Sequence, residues 1–263
     1  MERLPFLVLV AVMAPVVASF LSVVIHRVPR EGMSIWKPAR SQCPVCGATL
    51  GPRDLVPILS WAASGGRCRH CGARVPFRYP LLELLLLGLW LLAAWRDGPT
   101  WLFARDALFL ALLEILVFID LDTMTLPHRF TVTGLVSGMA FAVLGVGPEW
   151  PDALIGVVLG YFVPWILSGI YKLVRGQAGM GGGDFVLLAM IGAHAGPSGV
   201  VVAFLLAVLV GAVAGLAVMA RRRGAGGTRT AIPFGPFLAL GGVVALFWGS
   251  AIIGAYLRAT GLQ

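Results

Sequence analysis

The sequence predicts an all-α polytopic membrane protein with about eight transmembrane helices and a polar four-cysteine hairpin between the first two. Three observations support this class. The chain of 263 residues is 59% hydrophobic and only 12% charged, which is far from the composition of soluble domains. Apolar runs of about 20 residues, the length that crosses a hydrocarbon core, recur along the whole chain. All four cysteines lie in the long polar stretch that follows the first run.

The apolar segments are separated by short polar connections that contain glycine and proline. We predict helices at residues 4–25, 80–95, 101–119, 130–146, 153–173, 184–195, 200–220 and 234–257. The first segment is longer than the signal-peptide core of roughly 7 to 15 apolar residues, so we predict a retained helix that enters from outside. Small-residue pairs such as Gly156 with Gly160 and Gly211 with Gly215 predict close helix packing in lipid.

The positive charge is distributed unevenly between the loops. The net charge is +8, and sixteen of the twenty Lys and Arg residues fall in the loops 27–79, 120–129, 172–183 and 221–233. Because Lys and Arg in short loops mark the cytoplasmic side, these loops are predicted to face the cytoplasm and both termini to face outward. The charge is therefore a topology signal, and we expect membrane lipid and no nucleic acid around the chain.

The four cysteines form two C-x-x-C pairs, Cys43 with Cys46 and Cys68 with Cys71, and each pair is followed by glycine. This spacing is typical of a zinc ribbon, in which four thiolates close a tetrahedral site. A redox dithiol is the alternative, but the paired knuckles and the reducing cytoplasm favour a metal. A site with four protein ligands has no open position for water, so the Zn²⁺ is predicted to be structural. The chain then divides into a first transmembrane helix (1–26), a cytoplasmic zinc-binding loop (27–79) and a transmembrane bundle (80–263).

Two acidic residues stand at the ends of apolar segments on the predicted cytoplasmic side. Asp184 follows Gly181, Gly182 and Gly183, whose small size lets a substrate chain approach closely. Asp120 ends an earlier segment and precedes Leu126-Pro127, which predicts irregular backbone there. Two carboxylates at a membrane boundary are costly to hold for structure alone, and a pair that shares one proton matches the logic of aspartic proteases.

Three further acidic residues and two alternative functions also follow from the sequence. Asp122 and Glu83 are candidate supporting residues, and Glu83 and Glu114 also fit a purely structural role. A proton-coupled transporter that uses Asp120 and Asp184 as a relay is an alternative, because intramembrane acids also build proton pathways. A scaffold protein that recruits partners through its zinc hairpin is a second alternative.

Several motifs together resemble the bacterial type IV prepilin peptidases. They are residues 18–27, the four cysteines, Arg78-Tyr79-Pro80-Leu81-Leu82-Glu83, Ile119-Asp120-Leu121-Asp122 with Leu126-Pro127, Gly181-Gly182-Gly183-Asp184 and Ile232-Pro233-Phe234-Gly235-Pro236. The match covers nearly the whole chain, and its order and spacing make it specific.

The resemblance implies an aspartyl peptidase of the bacterial inner membrane whose catalytic aspartates are Asp120 and Asp184. Its substrates would be type IV prepilins or the pseudopilins of type II secretion, cut at the cytoplasmic face. It also implies N-methylation of the new N-terminal residue with S-adenosylmethionine as donor, although the sequence contains no independent methyl-donor motif.

This sequence departs from the family pattern at two positions. Val186 stands where relatives commonly carry lysine, and His128 stands where an acidic or amide residue is common. Either residue is expected to change the surroundings of the aspartates, and an exposed loop position is the other interpretation of His128.

Overall fold

The computed structural model describes residues 3–30, 32–36, 40–176, 179–221 and 232–261. Over these ranges the chain forms eight α-helices and one 3-10 turn, Pro52–Asp54, with two isolated β-bridges and no strand. The helices are α1 (Arg3–Arg27), α2 (Leu59–Ala63), α3 (Arg78–Asp97), α4 (Trp101–Thr123), α5 (His128–Val143), α6 (Trp150–Arg175), α7 (Gly182–Arg221) and α8 (Gly235–Thr260). The all-helical class is confirmed, and each predicted apolar segment is helical over most of its length.

In the described part of the chain, α1, α3, α6, α7 and α8 are long and apolar enough to cross a membrane. The helix α5 has 16 residues, and α4 carries charged residues such as Arg105, Asp106 and Glu114 along its length. The protein is therefore a multi-pass membrane protein. Some basic residues used for the predicted orientation, Lys37 and those in 222–231, lie outside the described residues.

Two of the predicted helices, 184–195 and 200–220, are the two halves of α7. They meet at Gly196, whose backbone is not helical (φ 66°, ψ −171°) and which is followed by Pro197. The first half runs antiparallel to α6, because Gly160 faces Leu188 whereas Gly156 faces Gly192 and Gly196. The second half runs antiparallel to α8, because Gly241 faces Ala203 whereas Gly211 faces Phe234 and Phe237.

The predicted close packing through glycines is confirmed at most of the positions tested. A Cβ on Gly156 or Gly160 would overlap the α7 backbone, and a Cβ on Gly211 would lie 3.3 Å from the Phe237 ring. Gly215, in contrast, faces open space. The small residues of α6 therefore allow backbone-to-backbone contact with the first half of α7, which carries Asp184.

The chain forms two compact units, unit 1 (Met1–Ile115) and unit 2 (Leu116–Gln263). In the first unit α1 packs against α3, and Phe103 of α4 makes edge-on ring contacts with Phe6 and Trp90. Near the start of α4, buried Asp106 forms ion pairs with Arg105 at 2.6 Å and with Arg96. In the second unit α7 packs against α5, α6 and α8.

Candidate aspartyl site and four-cysteine metal site

Asp120 lies in the last turns of α4 and is 4% exposed. Its Oδ2 accepts a hydrogen bond of 2.9 Å from the backbone N–H of Gly235, the first residue of α8. The helix α4 ends three residues later at Thr123, and Met124 has a positive φ of 52°. The irregular backbone predicted before Pro127 is therefore present, and it separates α4 from α5.

Asp184 lies in the first turn of α7 and is 8% exposed. Its Oδ2 accepts a hydrogen bond of 3.1 Å from the backbone N–H of Gly181. Gly181 and Gly182 are exposed beside it. Like Asp120, Asp184 is thus a buried carboxylate at a helix end with one oxygen held by a glycine N–H.

Leu126 connects the surroundings of the two carboxylates. A Cβ on Gly183 would lie 2.9 Å from Leu126 Cβ, and a Cβ on Gly235 would lie 3.3 Å from Leu126 Cδ2 and 2.6 Å from Asp120 Oδ2. The two acids are also close enough for the charge of Asp120 to act on Asp184. The packing of unit 2 therefore brings together two acids that are 64 positions apart in the chain.

The other residues proposed for this site have different surroundings. Asp122 is exposed one residue before the end of α4, His128 is exposed at the start of α5, and Val186 is half-buried in α7. Glu83 is buried in unit 1. Its Oε2 accepts a 2.6 Å hydrogen bond from the backbone N–H of Ile58, and its carboxylate also hydrogen-bonds to the side chain of Ser19. The contacts of Glu83 thus connect α3 to α1 and to the loop that carries the cysteines.

The four cysteines form one cluster, with all four Sγ atoms within 4.8 Å of one another. The Sγ atoms of Cys43 and Cys71 are 3.9 Å apart, close to the separation of about 3.8 Å that tetrahedral Zn–S bonds of about 2.3 Å impose. The donor set therefore fits a metal ion, and the predicted cluster between α1 and α3 is confirmed as capable of holding one.

The two knuckles have the same backbone geometry. In the first, Cys43 N–H donates to Ala48 O and Gly47 N–H to Cys43 O; in the second, Cys68 N–H donates to Ala73 O and Gly72 N–H to Cys68 O. The two glycines have φ of 69° and 72°, a region that only glycine adopts without strain. The glycine after each C-x-x-C pair is therefore required by the turn.

The thiols of the cluster have unequal proton affinities. The backbone N–H groups of Cys46 and Val45 lower the pKa of the Cys43 thiol to about 6. The backbone N–H of Ala73 lowers the pKa of Cys71, but partial desolvation of the thiol and the neighbouring sulfurs outweigh it and raise that pKa to about 11. The lowered pKa favours the thiolate of Cys43, and a bound metal would favour the thiolate at Cys71 by its positive charge.

The sequence did not identify Gly235 as the donor to Asp120, nor Ile58 as the partner of Glu83. The first pair is 115 positions apart, and no local pattern connects such residues. For Ile58 there is no sequence signal, because its positive φ of 62° occurs at a β-branched residue.

Two family models match the chain. The bacterial peptidase A24 N-terminal domain matches residues 12–97, which include the cysteines, and the type IV leader peptidase family matches residues 107–216, which include Asp120 and Asp184. No solved structure matches the chain.

Curated relatives match over almost the full length. The prepilin leader peptidase/N-methyltransferase of Aeromonas hydrophila is 38% identical over 95% of this chain and 93% of its own length. The proteins of the same name from Pseudomonas aeruginosa and Pseudomonas putida are 36% and 35% identical, each over 99% of this chain and over 96% and 97% of their own lengths.

Proposed function

This chain belongs to the type IV leader peptidase family, and we propose that it removes the leader peptide of prepilins and then N-methylates the new terminus. Its substrates would be type IV prepilins or pseudopilins. The observation that carries the proposal is the pair of buried carboxylates, Asp120 and Asp184, each held by a glycine N–H. Exposed glycines lie beside Asp184.

In the proposed mechanism one aspartate is ionised and the other protonated, since two nearby carboxylates favour sharing one proton. The ionised acid takes a proton from water as the water oxygen bonds to the scissile carbonyl carbon, and the protonated acid gives its proton to the carbonyl oxygen. When the C–N bond breaks, the leaving amine takes a proton from the first acid and the second acid recovers its own. The N–H groups of Gly181 and Gly235 orient the two carboxylates.

The glycines before Asp184 have separate proposed roles. The exposed Gly181 and Gly182 leave room for an extended substrate backbone. Gly183 packs against Leu126, so its missing side chain serves the contact between the helix ends. Asp122, exposed at the end of α4, is proposed to support the site from the solvent side.

We further propose that the cluster of four cysteines binds Zn²⁺ as a structural ion. Four thiolates leave no open coordination position for catalysis. The three functional parts would be the first helix (1–26), the zinc-binding loop (27–79) and the peptidase bundle (80–263).

For methylation, we propose S-adenosylmethionine as donor, because the relatives are named prepilin leader peptidase/N-methyltransferase. When bound, the donor would supply an electrophilic methyl group to the lone pair of the new terminal amine, with the S–C electron pair staying on sulfur and the amine proton passing to water.

The proposed location is the bacterial inner membrane, with the aspartates at the cytoplasmic face. The excess of Lys and Arg in the loops on that side supports this orientation. The transporter alternative gains no support from the relatives, and we do not propose it.

The test is mass spectrometry of a prepilin N-terminus after incubation with the purified protein and S-adenosylmethionine in detergent, without any ion gradient. The wild-type protein should release the leader and add one methyl group. Asp120→Asn and Asp184→Asn should each lose about 10² to 10⁴-fold in cleavage rate, the usual contribution of a general acid or base. Asp152→Asn, the same change at an exposed acid of unit 2, is the control and should cleave normally. Normal processing by either site variant would overturn the proposal.

A further inference from the structure

Unit 1 contains a cavity of about 370 Å³ that lies between the cysteine loop and the adjacent ends of α1 and α3. Ser19 and Ser22 of α1, Trp61 of α2 and Glu83 of α3 line it. Its volume falls within the range of about 300 to 1,000 Å³ typical of small-molecule sites. The proposed cleavage mechanism does not use this cavity.

One wall of the cavity is an aromatic ring held in a fixed orientation. The Trp61 Nε1–H donates to Val75 O at 3.0 Å, and the ring makes an edge-on contact with Phe77 at 5.6 Å. On another side the ring packs closely against Gly66, since a Cβ on Gly66 would lie 2.8 Å from Trp61 Cζ2. An aromatic face fixed in this way is suited to stacking with a base and to attracting a cation.

The polar groups of the cavity carry both signs of charge. Glu83 supplies a buried carboxylate and Asp54 a largely buried one, whose Oδ1 lies 3.4 Å from Arg69 Nε. Arg67, Arg69 and Arg74 lie around the cavity and are exposed. A strongly basic peptide would be repelled by this rim, whereas a zwitterionic ligand would find partners for both of its charges.

The cysteine cluster also forms part of the wall, since Cys43 and Cys68 line the cavity. A metal bound by the four thiolates would therefore fix the shape of this wall. Such a metal would support ligand binding in the cavity without direct contact with the reacting atoms.

We propose that this cavity is the binding site for S-adenosylmethionine. The inference rests on the proposed function, which requires a methyl donor, and on the chemistry of the lining. The sulfonium cation and the adenine ring suit the face of Trp61, the ribose hydroxyls and the ammonium group suit the carboxylates of Glu83 and Asp54, and the ligand's carboxylate suits the arginine rim.

The test is isothermal titration of the purified, zinc-loaded full-length protein with S-adenosylhomocysteine, the product form of the donor. Ser22→Trp places a large ring in the cavity and should abolish measurable binding. Val16→Trp puts the same ring on a half-exposed position of α1 that does not line the cavity, and it should bind like the wild type.

A second pair of variants tests the aromatic wall without filling the cavity. Trp61→Leu should weaken binding about tenfold, as expected for the loss of a cation–π contact of about 1.4 kcal/mol. Trp61→Phe keeps the ring and should bind within about threefold of the wild type. Zinc content, measured for every variant, reports whether the hairpin is folded.

Two results would overturn the assignment. One is wild-type affinity for S-adenosylhomocysteine in both Ser22→Trp and Trp61→Leu with zinc retained. The other is a hydrogen-exchange experiment in which phosphatidylglycerol, but not S-adenosylhomocysteine, protects residues 52–64, because the cavity would then hold an anionic lipid.

The failure of this inference is distinguishable from failure of the proposed function. If the wild-type protein cleaves and methylates prepilin but the blocked variants bind normally, only the cavity assignment is wrong. If the wild-type protein does not cleave prepilin, the proposed function is wrong, and the titration still decides whether the cavity binds the donor.

Discussion

The aspartyl site and the cysteine cluster are built in opposite ways. The four cysteines span residues 43–71, and each knuckle is closed by hydrogen bonds within six residues. The aspartyl site instead joins the end of α4 to the starts of α7 and α8, through contacts between residues as far apart as Asp120 and Gly235. The first site is local and depends on a metal, whereas the second depends on how the helices pack. The two sites should therefore be disrupted by different changes, the first by loss of the metal and the second by altered helix packing.

The largest expected effect is the loss of structure in the cysteine loop when its metal is removed. A hairpin of this size has little core of its own, and structural zinc contributes about 10 kcal/mol or more to folding in zinc-finger peptides. Cys68→Ser should therefore lose zinc and most hydrogen-exchange protection over residues 43–75. Protection of α7 and α8 in the same protein serves as the internal reference. Full protection of the loop without zinc would mean that the metal does not hold the hairpin.

Gly235→Ala should break the aspartyl site without removing a charge. Its Cβ would lie 2.6 Å from Asp120 Oδ2, so the carboxylate must move, and a displacement of about 1 Å typically costs about 10²-fold in rate. The measurement is the rate of prepilin cleavage. Gly254→Ala, on the same helix, meets only the end of Arg258 at 3.5 Å and should cleave at the wild-type rate. Equal rates for the two variants would exclude a positioning role for Gly235.

A substitution in the helix contact behind Asp184 should have a smaller effect, which is a loss of thermal stability. Gly156→Ala would push a methyl group into the backbone at Gly192, and overpacking typically destabilises by about 1 to 3 kcal/mol. Thermal unfolding in detergent should therefore begin at a lower temperature. Gly215→Ala adds the same methyl group where nothing lies within 4 Å, and it should leave the transition unchanged. If both variants unfold at the same temperature, the close packing of α6 against α7 at Gly156 is contradicted.

The parts of the fold that depend on local pattern are predictable from the sequence. The apolar runs predicted the helices, and the C-x-x-C-Gly repeats predicted both knuckles, because a turn with positive φ requires glycine directly after the second cysteine. The order of the motifs also placed Asp120 and Asp184 at helix ends. The turn predicted at Gly196 is present, although the helical pattern continues on both sides of it.

The remaining features come from packing between distant segments. Nothing in the sequence around Asp120 indicates Gly235 as its donor, because the pairing depends on where α8 begins relative to the end of α4. Glu83 was predicted to support the aspartates, but its hydrogen bonds go to Ile58 and Ser19. Its role at the aspartyl site stays a prediction. The contacts that the structure does show hold the loop that carries the cysteines and place Glu83 at the wall of the cavity.

The central claim is that Asp120 and Asp184 work as one catalytic pair, and a double-substitution cycle on prepilin cleavage tests it most directly. If they share one proton and one reaction, Asp120→Asn, Asp184→Asn and the double variant should all have the same residual rate, because groups that act as a unit lose nearly everything at the first substitution. Independent losses that multiply in the double variant, or a single variant that cleaves at the wild-type rate, would contradict the pair.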